Sequence, residues 1–216
     1  MNGEQPQAQQ LAAIEDLFVR ELAGLGRVRS YPKNTVFITE GDSSDSVFVL
    51  LTGKVKVFVS DTEGHEMILD THVGGEYVGE MAFDGNPRSA SVMTLEPTVF
   101  SVVQREHLRE AIQRNPDFAL NMISKVIERA RLATDNVKHL ALLDVYGRVA
   151  RLLLNMAVEK DGKQVIPDKI TQQEIAERVG ASRDMVSRIF RDLTVGGYIT
   201  VDHRVITINK RPPARW

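Results

Sequence analysis

A glycine and a carboxylate are followed eight residues later by an arginine and a hydroxyl in the segment from Gly79 to Ala90. Glycine lets the backbone approach an anion closely, and exposed N–H groups can surround a phosphate. Arg88 would neutralise that phosphate beside Ser89, and the Glu80 carboxylate would accept hydrogen bonds from sugar hydroxyls. A structural ion pair between Glu80 and Arg88 on a turn explains the same residues equally well. The residues alone therefore predict either a sugar-phosphate site or an ion-paired turn.

Two short segments of helical pattern lie near the C-terminus. Thr171 and Glu174 have the spacing of a capping box, and Gly180 ends the helix that this box begins. Ser182 can cap a second helix, from Arg183 to Leu193. Two short helices joined by a glycine turn are typical of a helix-turn-helix, whose second helix enters the major groove of DNA.

The exposed face of that second helix carries side chains that can recognise bases and phosphates. Arginine can donate two hydrogen bonds to guanine, a carboxylate can accept one from cytosine, and hydroxyls can reach phosphates. A solvated helix face would carry similar charges, but the caps, the turn, the buried pattern and a hairpin predicted over residues 198–208 (the wing) agree with DNA binding. The predicted DNA-binding residues are Thr171, Ser182, Arg183, Asp184, Ser187 and Arg188.

The composition excludes several kinds of chemistry. The chain has no cysteine, so it can form neither a disulfide nor a thiolate metal site. Its five histidines are scattered, so we predict no metal site, no cofactor and no catalytic residue. A nucleotide hydrolase that uses Glu80 with a histidine is a remote alternative. His72 is the one histidine near that segment in sequence, and no set of metal ligands or activated nucleophile is evident.

Charge is distributed unevenly along the chain. Residues 1–144 carry 14 Lys and Arg against 21 Asp and Glu, whereas residues 145–216 carry 13 against 8. The net charges of −7 and +5 account for the total of −2, and the basic part fits a polyanionic partner, although solvated surface charge would look the same. No apolar run approaches the ~20 residues of a membrane span. The N-terminus lacks the features of a secretory signal, so we expect no membrane partner and a cytoplasmic location.

Three parts of the chain must position these residues. A short helix is predicted over residues 11–25, and residues 31–104 show short β-branched runs between glycines, which predicts an antiparallel sandwich or barrel. A long helix begins at Asn115-Pro116 and repeats apolar residues at spacings of four and three, as in a coiled coil. Packing of this stripe on the helix's own domain is the alternative. The predicted dimer interface comprises Ile123, Val126, Ala130, Ala133, Val137 and Leu140.

The order of the motifs resembles the family of the cyclic-AMP receptor protein and the fumarate–nitrate reduction regulator (the CRP/FNR family), from about Leu17 to Lys210. The resemblance rests on Gly41-Asp42, Gly53, Gly79-Glu80 with Arg88-Ser89-Ala90, and the segments 143–148 and 171–183. It implies an α+β fold. The expected parts are an N-terminal helix and an antiparallel, jelly-roll-like β-roll that binds a cyclic nucleotide (residues 1–114), a dimerisation helix with a hinge near Asp144 (115–144) and a winged helix-turn-helix (145–216).

The resemblance also implies roles for the residues around Arg88. Glu80 would bind the ribose 2′-hydroxyl, and Arg88 and Ser89 would hold the cyclic phosphate, with Gly79 and Ala90 in the same site. Cyclic-AMP-responsive members recognise adenine with a threonine–serine pair on the dimerisation helix, where this chain has Ala133 and Thr134. One hydroxyl of the pair is lost at Ala133 and one is kept at Thr134, which leaves the base open while the phosphate-binding residues are all present. Cyclic AMP is the first choice of ligand. Cyclic di-GMP is the alternative, because Arg129 and Arg131 would favour guanine, and a ligand-independent regulator is another.

The family further implies a homodimeric bacterial transcription regulator that binds a palindromic double-stranded operator and acts with RNA polymerase. Family members carry arginine–glutamate and then arginine on the recognition helix, where this chain has Arg183-Asp184 and then Ser187-Arg188. Aspartate is one methylene shorter than glutamate, so the half-site stays open between the TGTGA and TTGA types. Ligand binding would re-aim the recognition helices through the hinge.

Overall fold

The computed structural model describes residues 10–43, 45–160, 162–167, 170–202 and 205–213. The chain forms two compact units, Met1–Glu128 and Arg129–Trp216. Within the described residues, no helix is long and apolar enough to cross a membrane.

After a helical turn at residues 10–12, the first unit continues with a short helix and eight strands. Helix α1 (Leu17–Gly24) is shorter than the predicted segment and is capped by Asp16, which accepts hydrogen bonds from the N–H groups of Phe18 and Val19. The strands are β1 (Arg27–Tyr31), β2 (Val36–Ile38), β3 (Ser46–Thr52), β4 (Lys54–Ser60), β5 (Glu66–Val73), β6 (Tyr77–Val78), β7 (Ser91–Thr94) and β8 (Thr98–Gln104).

The strands form two four-stranded antiparallel sheets, with the orders β1-β8-β3-β6 and β2-β7-β4-β5. Strand β3 is buried on both faces because its side chains alternate between two clusters. Phe48 and Leu50 pack with residues of the second sheet, whereas Val47, Val49 and Leu51 pack with α1. The predicted antiparallel β-roll is confirmed.

Two helices follow the roll. Helix α2 (Arg105–Arg114) is followed by α3 (Asp117–Leu142), where Asn115 Oδ1 accepts a hydrogen bond from the N–H of Asp117 at 3.2 Å. All residues of α3 are described, and Phe118 alone among them is buried. The stripe at coiled-coil spacing is instead exposed in the single chain, which argues against its packing on its own domain.

Besides the C-terminal part of α3, the second unit contains three helices and a sheet. Its elements are α4 (Val145–Met156), β9 (Val158–Lys160), β10 (Lys163–Ile166), α5 (Gln172–Val179), α6 (Arg183–Val195), β11 (Ile199–Asp202) and β12 (Val205–Ile208). Strands β11 and β12 form the predicted wing, and the antiparallel pair β9 and β10 extends it to a four-stranded sheet with the order β11-β12-β10-β9. Val149, Leu153, Ile175, Val186 and Leu193 lie in its core.

Candidate functional site

The turn after β6 places Gly79 against Arg88. Gly79 has φ of 89°, a backbone conformation that favours glycine. A Cβ atom at this position would lie 2.6 Å from Nη1 of Arg88 and 3.3 Å from the carbonyl oxygen of Ser46. Conformation and close approach therefore both require glycine here, and a 3₁₀ turn (Glu80–Asp84) follows directly.

Arg88 is buried at 5% exposure, and its guanidinium lies between two backbone carbonyls. Nη1 donates to the carbonyl of Gly79 at 2.6 Å, and Nη2 donates to that of Ser46 at 2.7 Å. Burial lowers the pKa of Arg88, and the negative charges of Glu80 and Asp45 oppose this shift. Arginine stays protonated, so the site holds a fixed, partly desolvated cation that suits an anionic ligand.

The backbone around Arg88 pairs with the turn at Gly41-Asp42. The N–H of Arg88 donates to the carbonyl of Asp42 at 2.9 Å, and the N–H of Gly41 donates to the carbonyl of Arg88 at 2.8 Å. These bonds join two segments that are more than forty residues apart in sequence.

The other predicted ligand-binding residues differ in exposure. Glu80 is half-buried, Ser89 is exposed with its hydroxyl 3.2 Å from the sulfur of Met81, and the side chain of Ala90 is 8% exposed. The structure thus gathers Gly79, Glu80, Arg88, Ser89 and Ala90 around one turn. Thr134 is exposed on α3 in the second unit, and its hydroxyl donates to the carbonyl of Ala130 at 2.9 Å.

The helix-turn-helix forms as predicted, with two differences in detail. Thr171 Oγ1 accepts a hydrogen bond from the N–H of Glu174 at 3.1 Å, as the predicted capping box requires. The Glu174 carboxylate instead accepts a hydrogen bond from Arg178 at 3.0 Å, so only the threonine half of the capping box forms. Gly180 is left-handed with φ of 61°. Ser182 caps α6 by accepting from the N–H of Met185 at 3.2 Å, and α6 extends beyond the predicted Leu193 to Val195.

Five of the six predicted DNA-binding residues are exposed, and all six belong to the second unit. Arg183, Asp184 and Arg188 are exposed on α6, and Ser187 is half-buried. The capping hydroxyls of Thr171 and Ser182 act as acceptors toward their own helices, which leaves each O–H available to donate to a phosphate.

An open cleft of about 600 Å³ lies between α5, α6 and the wing. Thr171 and Ser187 line it together with Gln172 and Arg191, which are not among the predicted DNA-binding residues. Gln172 directly follows the cap of α5, and Arg191 lies one turn beyond Arg188 on α6. These positions in the two helices are the sequence signal that could have predicted their place beside the cleft.

The seam of α3 is exposed along its length. The exposed fractions are 53% for Ile123, 45% for Val126, 65% for Val137 and 40% for Leu140, and Ala130 and Ala133 are exposed between them. Among the described residues, no group of three or more His, Cys, Asp or Glu side chains could hold a metal ion.

Comparison with known proteins identifies the family. The family model of the cyclic nucleotide-binding domain matches residues 28–115, and that of the Crp-like helix-turn-helix domain matches residues 147–212. The chain is 33% identical over 187 residues to the cAMP-activated global transcriptional regulator CRP of Salmonella typhimurium. The match covers 84% of this chain and 89% of that protein. The protein belongs to the CRP/FNR family.

Other members of the CRP/FNR family agree with this result. The cAMP-activated global transcriptional regulator Vfr of Pseudomonas aeruginosa is 32% identical over 189 residues, covering 83% of this chain and 88% of that protein. The solved structure of the c-di-GMP responsive global regulator CLP of Xanthomonas campestris has a TM-score of 0.77 at 22% identity, covers 89% of this chain and 98% of that chain, and supports the fold. The protein is therefore a cyclic-nucleotide-binding transcription regulator of the CRP/FNR family, and its relatives are regulators and not enzymes.

Proposed function

We propose that the protein is a homodimer that binds a palindromic double-stranded DNA operator under allosteric control by a cyclic nucleotide. The observation that carries the proposal is the exposed apolar seam of α3, which lies in sequence between the two matched domains. A second copy of α3 would cover this seam around a two-fold axis. The two recognition helices would then enter successive major grooves, about 34 Å apart.

In this proposal α6 carries base recognition. Arg183 and Arg188 would donate to guanines and Asp184 would accept from cytosine, with Ser187 beside them, while the hydroxyls of Thr171 and Ser182 would donate to phosphates. The test is a binding titration of Arg188→Ala on a duplex selected by the wild-type chain from a random-sequence pool, and on random DNA. We expect a larger loss on the selected duplex, by about 10- to 100-fold. Equal losses on both duplexes would remove Arg188 from base recognition.

Cyclic AMP is the ligand that we propose first, because the curated relatives at 32–33% identity are named as cAMP-activated. Gly79, Glu80, Arg88, Ser89 and Ala90 would hold its ribose and cyclic phosphate, and Thr134 would contact its base. Cyclic di-GMP is the second candidate, which the name of the structural relative CLP favours.

A calorimetric panel of cyclic AMP, cyclic GMP and cyclic di-GMP tests the ligand. We expect binding of one nucleotide to the wild-type chain and at least a tenfold loss for Arg88→Ala, because a charged contact to phosphate is removed. Arg109→Ala is the control, since Arg109 is an exposed arginine on α2. A wild-type chain that binds none of the three would instead support the ligand-independent alternative.

Allosteric control requires that the nucleotide bind the two arrangements of the dimer with different affinity. We propose that residues 1–114, 115–144 and 145–216 act as ligand domain, dimerisation helix with hinge, and DNA-binding domain, and that the bound dimer contacts RNA polymerase. Operator affinity measured with and without saturating nucleotide tests the switch. An unchanged affinity would contradict it.

A further inference from the structure

Arg148 lies in the first turns of α4, and its guanidinium donates to three backbone carbonyls. Nη1 donates to the carbonyl of Leu143 at 2.9 Å, Nε to that of Val179 at 2.8 Å, and Nη2 to that of Gly180 at 3.4 Å. The side chain is half-buried, and all four residues belong to the second unit. One side chain therefore contacts two backbone segments that are more than thirty residues apart in sequence.

Both segments are the C-terminal ends of helices. Leu143 directly follows α3, and its own N–H donates to the carbonyl of His139 at 3.0 Å. Val179 is the last residue of α5, and Gly180 is its C-cap. The last carbonyls of a helix lack partners within the helix and lie at the negative end of its dipole, so a cation with several donors satisfies both ends at once.

The segment that Arg148 contacts at Gly180 leads directly into the recognition helix. Ser182, two residues later, caps α6, and the N–H of Ala181 donates to the carbonyl of Ala176 at 3.0 Å. On the other side, Asp144 caps α4 by accepting from the N–H of Gly147 at 2.7 Å. The guanidinium therefore joins the end of the dimerisation helix to the turn that sets the start of α6.

We propose that Arg148 is a positioning residue that makes the end of α3 and the helix-turn-helix turn move as one body, and so transmits the arrangement of α3 to the recognition helix. A guanidinium is a planar fork whose donors point in fixed directions, so its three bonds hold the two segments in one relative arrangement. A movement of the end of α3 is then passed to the turn before α6 by contiguous hydrogen bonds. The transmission of a ligand signal rests on the proposed function, but the joining of the two segments does not.

Hydrogen exchange of the full-length chain without nucleotide tests the joining of the segments. Lysine keeps the charge but has a single ammonium nitrogen in place of the fork, so we expect Arg148→Lys to raise the exchange rates of the Leu143 and Ala181 amides together, by about tenfold. Arg151→Lys, an exposed arginine on the same helix, is the control and should change neither. Unchanged exchange at either amide in Arg148→Lys would overturn the proposal.

Operator affinity tests the transmission. The ratio of affinities with and without cyclic AMP, and likewise cyclic di-GMP, is measured on a duplex selected by the wild-type chain. We expect the ratio to fall at least about fivefold in Arg148→Lys, while nucleotide affinity without DNA stays within about twofold. A retained ratio, or an equal loss with and without nucleotide, would show that Arg148 only supports the fold. A wild-type ratio of one would contradict ligand control itself, and the exchange experiment would still decide whether Arg148 joins the segments.

Discussion

The exposed seam of α3 predicts that Val137→Asp dissociates the proposed dimer. Val137 is 65% exposed in the single chain, so a partner helix can bury about two thirds of its side chain. Full burial of a valine side chain contributes ~2 kcal/mol, so the variant loses ~1.3 kcal/mol per chain and, by two-fold symmetry, ~2.6 kcal/mol per dimer. Two facing carboxylates add ~1 kcal/mol of repulsion. The total of ~3.6 kcal/mol raises the dimer Kd by roughly several hundredfold.

Sedimentation equilibrium over a range of protein concentrations measures this change directly. Leu132→Asp is the matched control, because Leu132 is 54% exposed on the same helix but lies off the coiled-coil spacing of the seam. Circular dichroism verifies that both variants keep their helix content. If Val137→Asp and Leu132→Asp weaken the dimer equally, or if neither does, the seam is not the dimer interface and the reasoning from its exposure is wrong.

Three further predictions concern local features. Gly79→Ala should destabilise the chain by ~1–3 kcal/mol more than Gly75→Ala in urea unfolding and should weaken nucleotide binding in calorimetry, because its Cβ would lie 2.6 Å from Nη1 of Arg88. Gly75→Ala, with a similar positive φ of 90° but open space around it, is the control. Ser182→Ala should lower the free energy of unfolding by ~1 kcal/mol and reduce operator affinity, because α6 loses its cap. Burial raises the pKa of Asp16, but the N–H groups that it caps and the ammonium of Lys125 lower the pKa by more. The net pKa of Asp16 therefore lies below its ordinary value. The stabilisation that Asp16 provides should therefore be complete above about pH 4 and be lost as pH falls through its folded-state pKa, as urea unfolding of wild type and Asp16→Asn would measure.

Each of these has an outcome that contradicts it. Equal destabilisation by Gly79→Ala and Gly75→Ala would mean that strain, and not the contact with Arg88, determines the effect. Ser182→Thr keeps the capping oxygen, so a loss as large as that of the alanine variant would contradict the capping role. A stability difference between wild type and Asp16→Asn that does not shrink in acid would show that the carboxylate charge contributes nothing at that position.

The local signals of the sequence determined the ends of helices well. Thr171 and Ser182 cap α5 and α6, and Gly180 ends α5, all as predicted. Each of these features depends on a hydrogen bond or a dihedral angle within a few residues, so the local residue types suffice to specify it. The order of the motifs likewise specified the family and the winged helix-turn-helix.

Predictions that depended on a choice between partners were less complete. The capping box predicted that Glu174 would reach back to its own helix start, but the carboxylate pairs with Arg178 one turn ahead. Strands β9 and β10 were missed, because a three-residue and a four-residue strand show too little alternation to be recognised without the neighbouring β12. Packing decides which partner lies within reach of the Glu174 carboxylate or beside β10, and the local sequence does not contain that information.

The residues around Arg88 separate what the sequence determines from what only the tertiary structure decides. By itself, the sequence determined that a glycine, a carboxylate and an arginine share one turn, and it left a phosphate site and a simple ion pair equally open. The fold decided that Arg88 is buried and bonded to the carbonyl of Ser46, 42 residues earlier. The contacts of Arg148 with Val179 and Gly180 were decided in the same way. No local pattern specifies such contacts, because a backbone carbonyl is present at every residue and only the packing of distant segments selects which one an arginine meets.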